Sequence, residues 1–452
     1  MPEFTPATLP VLSPAQPVVW LGRTWNGLDD EAVQQGAVVT RAGRIEAVGA
    51  EDTLAVSAEA VRVRVSGTIL PGLIDLHVHA RPGYLPWFVA AGVTTVRDAC
   101  NPLDMIGALL SAPGLRPRLL PSGPLLDGPA AFFRHFGPGA VHEPGDGQER
   151  SAAALIVRTP AEARRAVAFL AAEGVTHVKL YEQLAPEVFA AAAHEAARLN
   201  LPVMADLGFQ ITRGLSAQVD ARQALACGVR SIEHASGYAL AAQRAGLDPL
   251  APLQDDLLDE LATLTVQAGT ALVPTLSVTA PLATADRPAG GGLPLEDLGG
   301  EVRTSLNAQW NAVHAGMAGM RHVAQADWAL AAALSARVAG LGGLVGAGTD
   351  TPAGAFTLPG GGLHAELERL VHAGLSPVQA LRAATGHAAA VLGRADLGRL
   401  EVGAVADLLI VGGDPLADIR ATRDLTLVVQ EGRPLPASAL RAAVQAPQEV
   451  SA

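Results

Sequence analysis

The apolar positions of this chain fall into two rhythms. From residue 17 to about 70 they alternate with polar ones in short runs, "PVVWLG", "GAVVTRAGRIEAVG" and "VRVRVSGTILPG", separated by Gly and Asp; "ADLLIVGG" and "LTLVVQEGRPL" repeat the habit near the other end. A period of two between turn residues predicts small antiparallel strands. The two pieces are expected to meet in one composite β-sandwich domain, 17–70 plus 398–440, interrupted by everything between.

Residues 71–397 alternate apolar strand-like runs with Ala-rich stretches at helical spacing. The strand candidates are "GLIDLHVH", "GVTTVRDA", "RPRLLPSG", "THVKLY", "LPVMAD", "RSIEHA", "ALVPTL" and "GLVGAGTD". Eight such units favour a parallel barrel over a sandwich, so the expected class is α/β, a (β/α)8 TIM-like barrel beside the small β domain. Helices such as "PEVFAAAAHEAARLN" and "SPVQALRAATGHAAAVLG" end near Asn or Gly. The Pro- and Gly-rich segment from about 281 to 300 reads as a loop or lid.

Composition narrows the partners. At 452 residues, 49% hydrophobic and 17% charged, the chain reads as a well-buried globular protein. Its net charge of -12 disfavours nucleic acid and anionic membranes, and leaves small-molecule substrates open. Two cysteines build no disulfide framework, the opening residues lack a secretory pattern, and no apolar stretch reaches bilayer length. A cytoplasmic protein without a transmembrane helix is expected, and a homo-oligomer is left open.

Of the 32 Lys and Arg residues one alone is lysine, Lys179 in "THVKLY". Arginine supplies surface charge equally well but is never deprotonated, whereas lysine can become a nucleophile. His77 and His79, two apart on the first strand candidate, face the same way and can chelate one divalent ion. Such a pair alone is as compatible with a structural role. Its weight comes from Lys179, His234 and Asp350, which end three other strand candidates, where barrel enzymes gather their chemistry. Tyr181 shares the inward face of Lys179 and can reach substrate; His177, one layer deeper, reads as a core histidine. Arg134 and His135 in "AAFFRHFG" are candidate contacts for a substrate carboxylate or carbonyl, against the plainer reading of a solvated loop. Asp98 either braces a histidine or caps its loop beside Arg97. His194, His364, His372 and His387 lie on helical stretches and read as structural.

These residues and the runs around them resemble the amidohydrolase superfamily, in its imidazolonepropionase-like and Xaa-Pro dipeptidase-like branch. The resemblance extends over nearly the whole chain, through "GTILPGLIDLHVH", "GVTTVRDA", "HVKLY", "SIEHA", "VPTL", "GTDTP", "GLHAELERLVHAGLSPVQALRAAT" and "LGRLEVGAVADLLIVGGDPLADI". It implies that His77, His79 and Asp350 bind one metal and that Lys179, carboxylated to a carbamate, bridges to a second completed by His234. Zn, Mn or Co would suit such ligands, and zinc is the expectation. A divalent ion lowers the pKa of bound water to about 7, with Asp350 as the catalytic proton acceptor and donor and His234 either a ligand or an oxyanion donor. The expected reaction is hydrolysis of a C–N amide bond in a dipeptide or acylated amino acid.

One position departs from the pattern. Where the family usually has His after the fifth strand, "LPVMADLGFQ" puts Asp206. Either Asp206 is an oxygen ligand and two ions stay bound, or Lys179 remains an ammonium paired with Asp206 and one metal or none binds. A mononuclear deaminase or cyclic-amide hydrolase, and a barrel that has lost catalysis and serves as a binding protein, therefore stay open as alternatives.

Overall fold

The computed structural model describes residues 3–5, 8–9, 12–13, 15–284, 300–316, 318–352 and 358–445. Each apolar run between 72 and 350 lies along the barrel wall. Strands one to three are Leu73–Val78, Val93–Asp98 and Arg118–Pro121, all parallel. A second parallel ladder carries Leu125–Asp127, Val178–Leu180, Val203–Ala205, Ser231–Glu233 and Ala271–Val273. The third strand thus has two halves, either side of Ser122–Pro124: the first pairs with strand two and the second with strand four. The eighth run closes the circle through bridges from Val345 to Leu272 and from Thr351 to Val78. Close approach there requires glycine, since a Cβ on Gly348 would stand 2.8 Å from that of His77.

The wall is apolar outside and polar inside. Val96, Leu126, Val178, Leu180, Val203, Ile232 and Leu272 belong to one continuous core with helix residues such as Val167, Leu170, Phe189 and Ala192, on Pro160–Ala172 and Pro186–Arg198. Small alanine side chains let these helices lie close to the wall. Asp75, His77, Arg97, Lys179 and Glu233 are buried all the same. Buried polar groups persist only when paired, so the barrel interior must contain its own network.

The terminal segments form one eight-stranded sheet, ordered Arg433–Pro436, Leu425–Gln430, Leu408–Val411, Val61–Pro71, Val18–Thr24, Val33–Arg41, Arg44–Ala50, with Glu3–Phe4 beside Val61–Pro71. Val61–Pro71 joins the two ends of the chain: it pairs parallel to Val18–Thr24 from Val61 to Ile69 and antiparallel to Leu408–Val411 from Thr68 to Pro71. Alternation puts Trp20, Val38, Val63, Ile410 and Leu427 in one apolar cluster. Beyond the last strand, the helix Ala437–Gln445 sets Ala437, Leu440 and Val444 into the barrel's core. Of the expected loop at 281–300, residues 281–284 end the helix Leu276–Thr284 and 300 begins Gly300–Gly316, while 285–299 lie outside the described residues. Among the described residues no helix is long and apolar enough to cross a membrane.

Two glycines give opposite expectations. A methyl group at Gly67 would overlap the Val411 carbonyl in the sheet, so Gly67→Ala is expected to lower stability by about 1–3 kcal/mol. Gly107 lies inside the helix Leu103–Ser111 with nothing near its Cβ position, and Gly107→Ala should raise stability by about 0.5–1 kcal/mol. Urea denaturation of both variants measures the two signs.

Candidate active site

The C-terminal ends of strands one, four, five, six and eight deliver His77, His79, Lys179, Asp206, His234 and Asp350 to one place. Asp350 Oδ1 lies 3.0 Å from His79 Nε2 and 3.4 Å from His77 Nε2. Lys179 Nζ is 3.5 Å from His77 Nε2 and 3.3 Å from Asp206 Oδ2, which is itself 3.4 Å from His234 Nε2. Three of the strand-end residues here have left-handed backbones, His234 at φ 61°, Thr275 at 46° and Asp350 at 56°. Non-glycine residues adopt that conformation at a cost, and such strain collects at functional sites. At His234 its use is visible. Neighbours on a flat strand point to opposite faces, yet Glu233 and His234 both reach His77, one through a 2.8 Å contact and the other ring to ring at 4.6 Å.

Each imidazole is held by its Nδ1. That of His77 donates to the Glu233 carboxylate at 2.8 Å, and that of His79 to the Cys100 carbonyl at 3.2 Å. His234 Nδ1 meets Thr275 Oγ1 at 2.6 Å, whose own proton is directed at the Pro274 carbonyl. A neutral histidine that donates from Nδ1 presents a lone pair at Nε2, and metal-binding histidines are oriented in this way; at His234 burial is outweighed by the Asp206 and Asp350 carboxylates, which raise its pKa and favour a proton on Nε2 until a metal displaces it. Burial, reinforced by the Lys179 cation, holds His77 well below its usual pKa and so neutral. His77, His79 and Asp350 form a group whose donor atoms lie within 4.8 Å of one another and could hold a metal ion. Two imidazoles and a carboxylate suit a borderline divalent cation.

Carboxylates and Lys179 complete the charge balance. Burial alone would raise Asp350 and Asp206, but hydrogen bonding and charge from His79 and His234 hold Asp350 down, and the His234 and Lys179 charges hold Asp206 down. For Lys179 burial pushes down, and the Asp206 and Asp350 carboxylates outweigh it, so its pKa lies above the ordinary value. Glu233 also takes Arg97 Nη2 at 2.7 Å, while Arg97 Nε donates to the Leu76 carbonyl at 2.6 Å. Asp75 ties strand one to strand eight through the Thr349 backbone N–H and hydroxyl at 3.0 and 2.7 Å.

Above this cluster opens a cavity of about 720 Å³. Tyr181 lines it, edge-on to Phe133, with Lys179 Nζ 5.3 Å from its ring. Phe132, Phe133, Phe136, Phe209 and Ile211 are further lining residues. Arg134 and His135 are not among them: Arg134 Nε donates to the Pro129 carbonyl, and His135 Nδ1 faces the Phe132 carbonyl, both on the exposed side of a 3-10 turn. That turn half-buries Phe132 and Phe133 and leaves Arg134, His135 and Phe136 exposed, and of these Phe136 alone lines the cavity, so the two polar candidates lie outside it. His177 is buried beside Thr176, below the cluster, and Asp98 braces the loop after strand one through the Ala80 N–H and Asn101. His364 has both ring nitrogens engaged, at Thr422 and at the Ala91 carbonyl.

Glu233, Thr275 and Arg81, the last also lining the cavity, carry no role in the sequence reading, and Arg97, expected beside Asp98, pairs with Glu233 instead. Glu233 had a signal available, an acidic residue next to the strand-end His in "SIEHA", but strand alternation argues against both facing inward. The wall around Phe209 and Ile211 rests on Asp327, whose carboxylate accepts from the Ile211 N–H at 2.9 Å and from Gln210. Burial, only partly offset by these bonds, raises Asp327 to about 6.

Histidines and carboxylates converging at the C-terminal strand ends of a parallel barrel make a site that could hold a metal ion. A model of the amidohydrolase family matches residues 68–435, and the chain belongs to that family. It is a hydrolase of the group acting on amide C–N bonds. Among solved structures it is similar to a putative prolidase from Bifidobacterium longum, at 26% identity and TM-score 0.68 over 96% of this chain and 100% of the other. It is similar in fold to A. niger ochratoxinase, at 21% identity and TM-score 0.70 over 94% and 96% of the two chains. A Xaa-Pro dipeptidase solved with methionine in its active site matches at 19% identity and TM-score 0.67 over 93% and 100%. No curated protein sequence matches.

Removing the negative charge of Glu233 with Glu233→Gln leaves Arg97 buried against a neutral partner, and should cost about 3–5 kcal/mol by urea denaturation. Asp327 gives a pH-dependent term. Its folded pKa of about 6 exceeds the unfolded 3.8, so its stabilising contribution is full below pH 3.8 and lost as pH rises through 6. The stability difference between wild type and Asp327→Asn should therefore shift against the wild type by up to about 3 kcal/mol between pH 4 and pH 7. Paired urea midpoints across that range measure it.

Proposed function

We propose that the chain is a metal-dependent amidohydrolase that uses activated water to cleave a C–N amide bond in a dipeptide or N-acyl amino acid. The barrel, residues 71–397, carries the chemistry, and the unit 17–70 plus 398–440 is accessory. The observation that supports this is the orientation of three imidazoles, each tied outward by Nδ1 so that its Nε2 faces the carboxylates. His77, His79 and Asp350 would hold one divalent cation, with zinc the favoured ion, and Lys179, as a carbamate, would join Asp206 and His234 in holding a second. The two free cysteines fit a reducing cytoplasm.

When bound, the cation supplies Lewis acidity toward water and toward the scissile carbonyl. Asp350, held ionised by His79, His234 and Lys179, takes the proton of the attacking water and returns it to the leaving nitrogen. His77 stays neutral and fixed by Glu233, so it holds its place while charge shifts beside it. Tyr181, at the cavity wall, orients the substrate. The products are a carboxylate and an amine.

The 3.3 Å contact between Lys179 and Asp206 favours a second reading in which that ion pair replaces the second cation. Lys179→Arg separates the two. A shared carbamate requires the variant to drop from about two bound ions to one or fewer and to lose about 100-fold or more in amide hydrolysis. Metal analysis and turnover of a dipeptide and N-acyl amino acid panel measure both; retained activity with unchanged metal content would remove the carbamate.

A further inference from the structure

We propose that Glu366 is a positioning residue for His234, acting from the helix Gly361–His372 through Thr275, just beyond strand seven. The proposal rests on the reading of His234 as a member of the reacting cluster, but its test does not need turnover. Glu366 has no exposed surface, and it lies 90 positions from the nearer end of the chain segment it grips.

Its two carboxylate oxygens are met by three donors from the start of the helix Leu276–Thr284. Oε1 accepts the Leu276 N–H at 2.9 Å, and Oε2 accepts the Ser277 N–H at 2.6 Å and the Ser277 hydroxyl at 2.8 Å. A carboxylate placed there is favoured by those hydrogen bonds and by the helix dipole together. Among the described residues Glu366 forms no direct ion pair; Arg369 donates instead to the Ser277 hydroxyl at 3.3 Å. Glu366 therefore holds backbone rather than balancing a cation.

The residue just before these donors is Thr275. Its backbone is left-handed at φ 46°, a conformation that a β-branched residue adopts only at a cost. Fixing the next two amides keeps that turn from relaxing, and the turn is what brings Thr275 Oγ1 to 2.6 Å from His234 Nδ1. Since Oγ1 directs its own proton at the Pro274 carbonyl, it is left to accept from the imidazole. The same capped helix sets Val278 and Leu282 in the cavity wall. A cap that served stability alone would need no strained threonine ahead of it.

Solvent exchange of the imidazole protons, followed by NMR on the zinc-supplemented full chain labelled with nitrogen-15 at histidine, tests the proposal. The wild type should show a protected Nδ1–H resonance from His234, assigned by its loss in His234→Gln. Glu366→Gln turns one acceptor oxygen into a donor facing N–H groups, and should speed exchange of that proton by about tenfold or more. The Nδ1–H protons of His77 and His79, held by Glu233 and the Cys100 carbonyl, should keep their rates. Ser277→Ala removes one of the three donors and should speed exchange at His234 by less, and it decides the matter should Glu366→Gln not fold. No protected His234 proton in the wild type, an unchanged rate in the deciding variant, or equal acceleration at all three histidines would each overturn the proposal, the last by reducing Glu366 to a structural cap. Failure of the amide-hydrolase reading is distinguishable, as a chain that shows the selective effect at His234 yet turns over no amide.

Discussion

Glu233 carries a carboxylate in the middle of a protein, with no exposed surface, and the site is arranged around that cost. An ionised carboxylate removed from water must be met by charge and hydrogen bonds from every side. Arg97 from strand two, His77 from strand one and Ser231 from its own strand do so. Three strands are locked together across the barrel interior by this one group. The locking fixes the His77 ring, its tautomer and the direction of its Nε2, and with them the geometry toward Asp350 and Lys179. Loss of the Glu233 charge would leave Arg97, His77 and Ser231 buried without their charged acceptor, which is why this residue belongs to folding and to chemistry at once.

The barrel was legible in the sequence because its strands are short and apolar and their ends carry the polar residues. "GLIDLHVH", "THVKLY" and "GLVGAGTD" announce both a strand and what it delivers. Period and composition cannot report a change of backbone hand, and so the pair Glu233 and His234 could not be read as co-facing; the φ of 61° at His234 decides it. The same limit applies to "AAFFRHFG". The 3-10 turn at 132–136 leaves its three phenylalanines lining the cavity and Arg134 and His135 outside it, and nothing in five residues of sequence indicates that choice. Arg81 was hidden for a different reason, since an arginine in a loop is ordinary until Asn101, twenty positions on, is found holding it.

Asp206 was the position where the resemblance and the residue disagreed. Its carboxylate touches both Lys179 and His234, so it occupies the place where a second cation's charge would be balanced. A histidine there would remove one of the two carboxylates, Asp206 and Asp350, that hold the Lys179 amine charged, and so would ease the loss of its proton. A carboxylate does the reverse, holding the amine charged, and a charged amine does not combine with carbon dioxide. On the proposed carbamate reading, Lys179 would be carboxylated only once cations take over the neutralisation of Asp206, so that carboxylation and metal binding would be one coupled event.

The same reasoning separates recognition from chemistry. Charges at the base of the cavity are engaged with one another, Asp350 with His79 and Asp206 with Lys179 and His234, and an anionic substrate offered to that base would compete with the ligands. The apolar wall above cannot pair a charge at all.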